Sequence, residues 1–102
     1  MTSAVFSTRV EADRLVLEVT GEIDLANVGD FEQALLDLIG RADGHPLVLD
    51  VSGLSYIDST GIKTLMRAQE RYDHGSRIAL HNPSAAVRRV LELMVPDLFD
   101  LL

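Results

Sequence analysis

Hydrophobic and polar positions along this chain change period several times, and each change marks an element. Val5, Phe6, Thr8 and Val10 give the segment Phe6 to Glu11 the mixed, β-favouring character of a first strand. Leu15, Leu17 and Val19 then alternate onto one face of a second strand, Leu15 to Thr20. Only Ala12-Asp13-Arg14 separates the two, so they predict an antiparallel hairpin. From Asn27 the apolar spacing becomes three and four: Val28, Phe31, Leu35, Leu38 and Ile39 form one face of an amphipathic helix, with Gly40 and Gly44 as stop signals. Pro46 leads into Leu47–Val51, apolar at nearly every position, as in a strand covered on both faces. A loop of small and polar residues is expected to follow. Asp58-Ser59-Thr60-Gly61 then opens a second helix, with Ile62, Leu65, Met66 and Gln69 on its inner stripe and Lys63, Arg67 and Arg71 on another. Asp73-His74-Gly75 closes it. Ile78–Leu80 reads as a short strand, Asn82-Pro83-Ser84 as a turn, and the next segment as a third helix with Val87, Val90, Leu91 and Met94 facing inward. Pro96 breaks that helix, and Leu98 to Leu102 reads as a last edge strand or a loose end.

The order β-β-α-β-α-β-α predicts an α/β fold: one domain over residues 1–102, with a mixed sheet of four to five strands and about three helices. The amino-terminal hairpin is antiparallel, and the second, third and fourth strands pair in parallel through helical crossovers. Parallel strands end at a common edge. Asp24, Asp58-Ser59 and Asn82-Pro83-Ser84 should therefore gather at the carboxyl edge, where open α/β sheets bind their ligands.

Composition narrows the chemistry. The 102 residues contain no cysteine, which removes disulfides, thiolate metal sites and thiol catalysis. No apolar run approaches the roughly 18 residues of a membrane span, and Met1 to Val10 lacks the pattern of a secretory signal; the expected location is the cytoplasm. A net charge of −7 argues against a general affinity for nucleic acid. His45 and His74 are expected at the amino edge, away from Ser59, and only His81 approaches the correct rim, where it reads more readily as a packed or surface residue than as a ligand. A serine nucleophile needs a positioned base, and Ser59 also lacks the G-x-S-x-G context of a nucleophile elbow. With no metal-ligand spacing and no nucleotide-binding glycine motif, the expectation is a protein with no catalytic residues, no metal and no cofactor of its own.

Ser59 reads differently as a substrate. The start of a helix offers unpaired N–H groups and the positive end of the dipole, a setting that favours phosphate. Gly61 would thin the first turn and open the approach of a kinase to the hydroxyl. On spacing alone, however, Asp58 or Ser59 is more readily an N-cap, Asp24 a turn or cap residue, and the Lys63, Arg67, Arg71 stripe a solvated face rather than a docking surface.

A family resemblance changes that balance. Gly21-Glu22-Ile23-Asp24, Leu49-Asp50-Val51-Ser52-Gly53-Leu54, Ile57-Asp58-Ser59-Thr60-Gly61 and the Asn82-Pro83 turn, with the Val87–Leu93 helix behind it, resemble in order the motifs of the STAS domain family, in its bacterial anti-sigma factor antagonist type. The resemblance implies that Ser59 is the phosphoacceptor, with Thr60 as a secondary acceptor. Asp24, Asp58, Gly61 and Lys63 would be neighbours of the phosphosite or part of a partner interface. It also implies the partners: an anti-sigma factor with ATP-dependent serine kinase activity, which the unphosphorylated form binds, and a metal-dependent serine phosphatase that resets the phosphorylated form. ATP and Mg²⁺ would belong to the kinase. The same family includes accessory subunits of membrane lipid or anion transporters and small-ligand-binding modules, which supply the alternative reading. Beyond Pro96 the chain departs from the family pattern, so a short or absent last element is expected.

Overall fold

The computed structural model describes residues 3–72, 77–95 and 100–101. Its elements run β1 (Ala4–Glu11), β2 (Arg14–Ile23), α1 (Val28–Gly40), β3 (Leu47–Ile57), α2 (Ser59–Tyr72), β4 (Ala79–His81), α3 (Ala85–Met94) and β5 (Asp100–Leu101). Among the described residues the sheet order is β1-β2-β3-β4-β5. β1 and β2 are antiparallel, and every other neighbouring pair is parallel. This is the α/β architecture expected from the alternation of periods, with Asp100 and Leu101 of the last strand among the described residues. Asp73-His74-Gly75 and Pro96, to which helix ends were assigned, lie outside the described residues.

The sheet has two unlike faces. Leu17, Leu49 and Leu80 stand opposite one another in the register and belong, with Val19 and Val51, to the main core. α1 contributes Phe31, Leu35 and Leu38, α2 contributes Ile62, Leu65 and Ala68, and α3 contributes Val87 and Leu91. Phe6 of β1 stacks on Phe31 with ring centroids 6.0 Å apart, tying the hairpin to α1. On the other face Arg9 reaches Glu18 at 3.3 Å and Asp50 at 3.5 Å, while His81 pairs with Asp50 in the register. Val16 and Val48 are buried beneath these charged side chains, whose aliphatic stems can cover apolar surface while their heads stay wet.

β3 departs most from expectation. It does not give way to a loop after Val51 but continues to Ile57, with two register shifts against β2. Each shift inserts one extra residue on β3, the definition of a β-bulge. In the first, the Asp50 carboxylate accepts from both the Ser52 N–H (3.1 Å) and the Ser52 hydroxyl (2.7 Å). In the second, the Ser55 hydroxyl donates to the Gly21 carbonyl at 3.1 Å. The polar residues that resembled loop chemistry are the stitches of the bulges. Because each bulge adds one position, Leu54 and Ile57 return to the core face at intervals of three rather than two.

Two inward assignments are corrected. Met66 is 37% exposed, because the buried arc of α2 is completed by Gly61, Thr64, Ala68 and Tyr72 instead. Met94 is 48% exposed at the end of α3, where only Val87 and Leu91 are fully inside. Gln69 is buried as expected, and its side-chain oxygen accepts the Ile78 N–H at 2.7 Å, anchoring the chain as it enters β4.

Candidate functional site

The carboxyl edge of the sheet is built by two adjacent strand ends. The Asp58 N–H donates to the Ile23 carbonyl at 3.1 Å, locking the end of β3 beside the end of β2. After β2 the chain folds into a compact turn. The Asp24 carboxylate accepts the Ala26 N–H at 2.9 Å, while Asn27 accepts the Asp24 N–H at 3.0 Å and donates to the Glu22 carbonyl at 2.8 Å. Asp24 is therefore the turn residue that its type suggested, and the turn stands directly against the start of α2.

Asp58 caps α2. Its carboxylate accepts from the Gly61 N–H at 3.1 Å and from the Thr60 hydroxyl, and the N–H groups of Thr60 and of Leu25, across the rim, also point to it. Burial by itself would raise the pKa of this carboxyl. The four donors outweigh that effect and hold it below the ordinary aspartate value. One side chain thus closes the helix start, while the N–H of the same residue holds it to the end of β2.

Ser59 is left as the first helical residue, exposed, with its hydroxyl in no hydrogen bond among the described residues. Its neighbours are not equivalent. Thr60 is half-buried and its hydroxyl is already committed to Asp58. One of the amide groups expected to hold a phosphate is not free either, because Asp58 occupies that of Gly61. A phosphate on Ser59 would stand outside the cap, beside a carboxylate. Lys63 lies one turn along on the same exposed side, with no ion pair among the described residues.

Gly61 serves a different purpose from the one its position suggested. It is buried, and a Cβ there would lie 2.6 Å from Ile57 Cγ1 and 3.0 Å from Ile23 Cγ2. Its missing side chain seats the first turn of α2 on the two strand ends; it does not open an approach to Ser59. The Asn82-Pro83-Ser84 turn starts from the same edge, but its chemistry is local: the Ser84 hydroxyl oxygen accepts the Val87 N–H at 3.2 Å and caps α3. His81 lies on the charged sheet face beside Asp50, and His45 lies at the amino edge.

Two residues of this rim escaped the sequence reading. Leu25, next to Asp24, is 75% exposed, and Tyr56, two residues before Asp58, is 51% exposed. Both sit on the segments that lead to the platform of Ser59, the β2–α1 turn and the end of β3. Their exposure follows from the bulged register of β3 and from the turn at Asp24, neither of which apolar periodicity reveals.

Comparison with known proteins decides the family. A family profile described as "Mlab, STAS domain" matches residues 6–97. The chain belongs to the STAS domain family. A curated relative of this STAS domain is the anti-sigma-F factor antagonist RsfB of Mycobacterium tuberculosis, 30% identical over 82 residues that cover 80% of this chain and 66% of the relative; the match thus spans slightly less than two thirds of that protein. Among solved structures, an anti-sigma factor antagonist from Mycobacterium paratuberculosis superposes with a TM-score of 0.85 at 29% identity, over 97% of this chain and 85% of the other. The Bacillus cell fate determinant SpoIIAA in its phosphorylated form superposes with a TM-score of 0.69 at 20% identity, over 96% of this chain and 91% of that one; at that identity the likeness is one of fold.

Proposed function

We propose that this STAS domain is an anti-sigma factor antagonist controlled by phosphorylation of Ser59. In its unphosphorylated form it binds an anti-sigma factor that is also an ATP-dependent serine kinase, which releases the sigma factor. Phosphorylation breaks that complex, and a metal-dependent serine phosphatase restores the first form. The domain performs no catalytic step; it is a binding surface and a substrate, acting in the cytoplasm. The observation that carries this reading is the contrast at the start of α2. The Ser59 hydroxyl is exposed and unbonded, while Asp58 and Thr60 on either side are tied into the cap. That contrast also favours Ser59 over Thr60 as the acceptor.

Phosphorylation adds roughly −1.5 to −2 charges. Because Asp58 already closes the helix in either state, the fold stays as it is and the surface changes. Leu25, Tyr56, Lys63 and Met66 are exposed on the segments that meet at this rim and on α2 behind it. A partner seated on that apolar rim would have to bury a phosphate beside the Asp58 carboxylate, at a cost of several kcal/mol.

Binding of the purified anti-sigma factor to wild type, Ser59→Ala and Ser59→Asp tests the reading by calorimetry. Ser59→Ala should bind as wild type does, and Ser59→Asp should bind at least tenfold more weakly with an unchanged circular dichroism spectrum. Equal affinity of Ser59→Asp and wild type defeats it. Recovery of transporter subunits in place of an anti-sigma kinase, in a pull-down from cell extract, would favour the accessory-subunit alternative.

A further inference from the structure

A cavity of about 540 Å³ lies far from Ser59, at the amino edge of the sheet. That is within the range of roughly 300–1,000 Å³ typical of small-molecule sites. β2 runs from Arg14 at this edge to Ile23 at the other, a span of about 30 Å at roughly 3.3 Å per residue. The cavity exists because the β1–β2 hairpin overhangs the end of α1. Phe6 is covered by Phe31, but further along β1 on the same sheet face Thr8 and Val10 run past the last helical turn. Val10 is left 73% exposed on a face that elsewhere forms the core.

The lining is divided by chemistry. Val10, Leu15 and Leu38 supply an apolar wall, and Thr8, Arg41 and His45 supply polar groups. Arg9 and Arg14 border the cavity, but their guanidinium groups are paired with Glu11, and Arg9 also with Glu18 and Asp50. Arg41 is exposed and makes no ion pair among the described residues, which leaves its guanidinium open to a ligand at the cavity. The hairpin turn that walls the site is held in a costly conformation, with Ala12 at φ 56°. Ala12 occupies a hairpin turn that favours Gly, Asn or Asp at positive φ, and such departures from local preference concentrate at functional surfaces. Asp13 at the rim and the carbonyl end of α1 both oppose excess negative charge. The site therefore suits one negative charge rather than two.

We propose that this cavity binds a small amphipathic carboxylate, with its acid group on the Arg41 guanidinium and its apolar body along Val10, Leu15 and Leu38. The inference is independent of the Ser59 switch and gives the domain a second input at the opposite end of its sheet.

The test is titration of the isotope-labelled full chain with octanoate, 1-octanol and acetate, followed by amide chemical shifts. Octanoate should saturate with a Kd between about 0.1 and a few mM, as its size allows. The shifts should map to residues 8–15 and 38–45. Octanol should bind at least fivefold more weakly, and acetate should not saturate below about 50 mM. Arg41→Gln and Val10→Asp, both exposed and outside the Ser59 site, should each weaken octanoate at least fivefold. Any of four results overturns the proposal: no saturation by octanoate at 20 mM, shifts centred on the carboxyl edge, equal binding of octanol, or an Arg41→Gln Kd within twofold of wild type. Shifts at this edge that follow protein concentration alone would assign the groove to a second copy of the chain and equally overturn it. None of these outcomes depends on Ser59.

Discussion

Replacing Asp58 with alanine removes the carboxylate that accepts from the Thr60 hydroxyl and from the Gly61 N–H. Loss of an N-cap side chain costs about 0.5–2 kcal/mol. The Thr60 hydroxyl, half-buried and bonded to the same carboxylate, loses its acceptor as well and adds about 1 kcal/mol. The total is about 2 kcal/mol. A chain of 102 residues has an unfolding entropy near 0.2 kcal/mol/K, so the loss lowers Tm by about 10 °C. Asp58→Asn keeps an acceptor oxygen and should lose about half as much. The pH dependence has a definite sign. The folded pKa of Asp58 is depressed below 3.8, so its stabilising contribution is fully present above that value and disappears as pH falls through the folded pKa. Thermal melts at pH 7 and pH 3 should therefore show the gap between wild type and Asp58→Asn narrowing in acid. A Tm for Asp58→Ala within 2 °C of wild type at pH 7, or a gap that widens in acid, would refute the assignment of Asp58 as the cap that holds this rim together.

Gly61→Ala places a Cβ 2.6 Å from Ile57 Cγ1; overpacking costs about 1–3 kcal/mol, and roughly 1 kcal/mol of improved helix propensity offsets part of it. The expected net loss is about 1 kcal/mol, read as a fall of about 5 °C in Tm. Phe31→Ala removes a ring that is 1% exposed and stacked on Phe6, and should cost about 3–5 kcal/mol in urea unfolding. Leu25→Ser and Tyr56→Ser should leave Tm unchanged within 2 °C, because both side chains are exposed, yet weaken anti-sigma factor binding at least tenfold. In protein phosphorylated at Ser59, Lys63→Gln should raise the second ionisation of the phosphate by a few tenths of a pH unit, measured by ³¹P NMR, since it removes the cation one turn away.

The element order, the parallel pairing and the position of Ser59 at a helix start were legible because they rest on apolar spacing and on short polar residues before a helix. β3 was not. The run from Asp50 to Tyr56 is rich in serine and glycine, and turn chemistry and bulge chemistry use the same residues. Only the neighbouring strand determines which one forms, here through the Gly21 carbonyl and the Ser52 groups. Ambiguity between Asp58 and Ser59 as cap had a similar origin. Both residue types cap helices, and the choice depends on which side chain turns inward, a matter of the strand end locked to Ile23. Gly61 showed that a small residue was needed, but the surface it was needed against, Ile57 and Ile23, comes from two distant segments. Exposed Leu25 and Tyr56 were invisible for the opposite reason: apolar residues are read as inward until the register places them outside.

The most direct test of the account is the position of the phosphate. Wild type, Ser59→Ala and Thr60→Val are each incubated with the cognate anti-sigma kinase and ATP, and the products are mapped by mass spectrometry. The account predicts one phosphate, on Ser59, in wild type and in Thr60→Val, and none in Ser59→Ala. Equal incorporation in Ser59→Ala and wild type would contradict it.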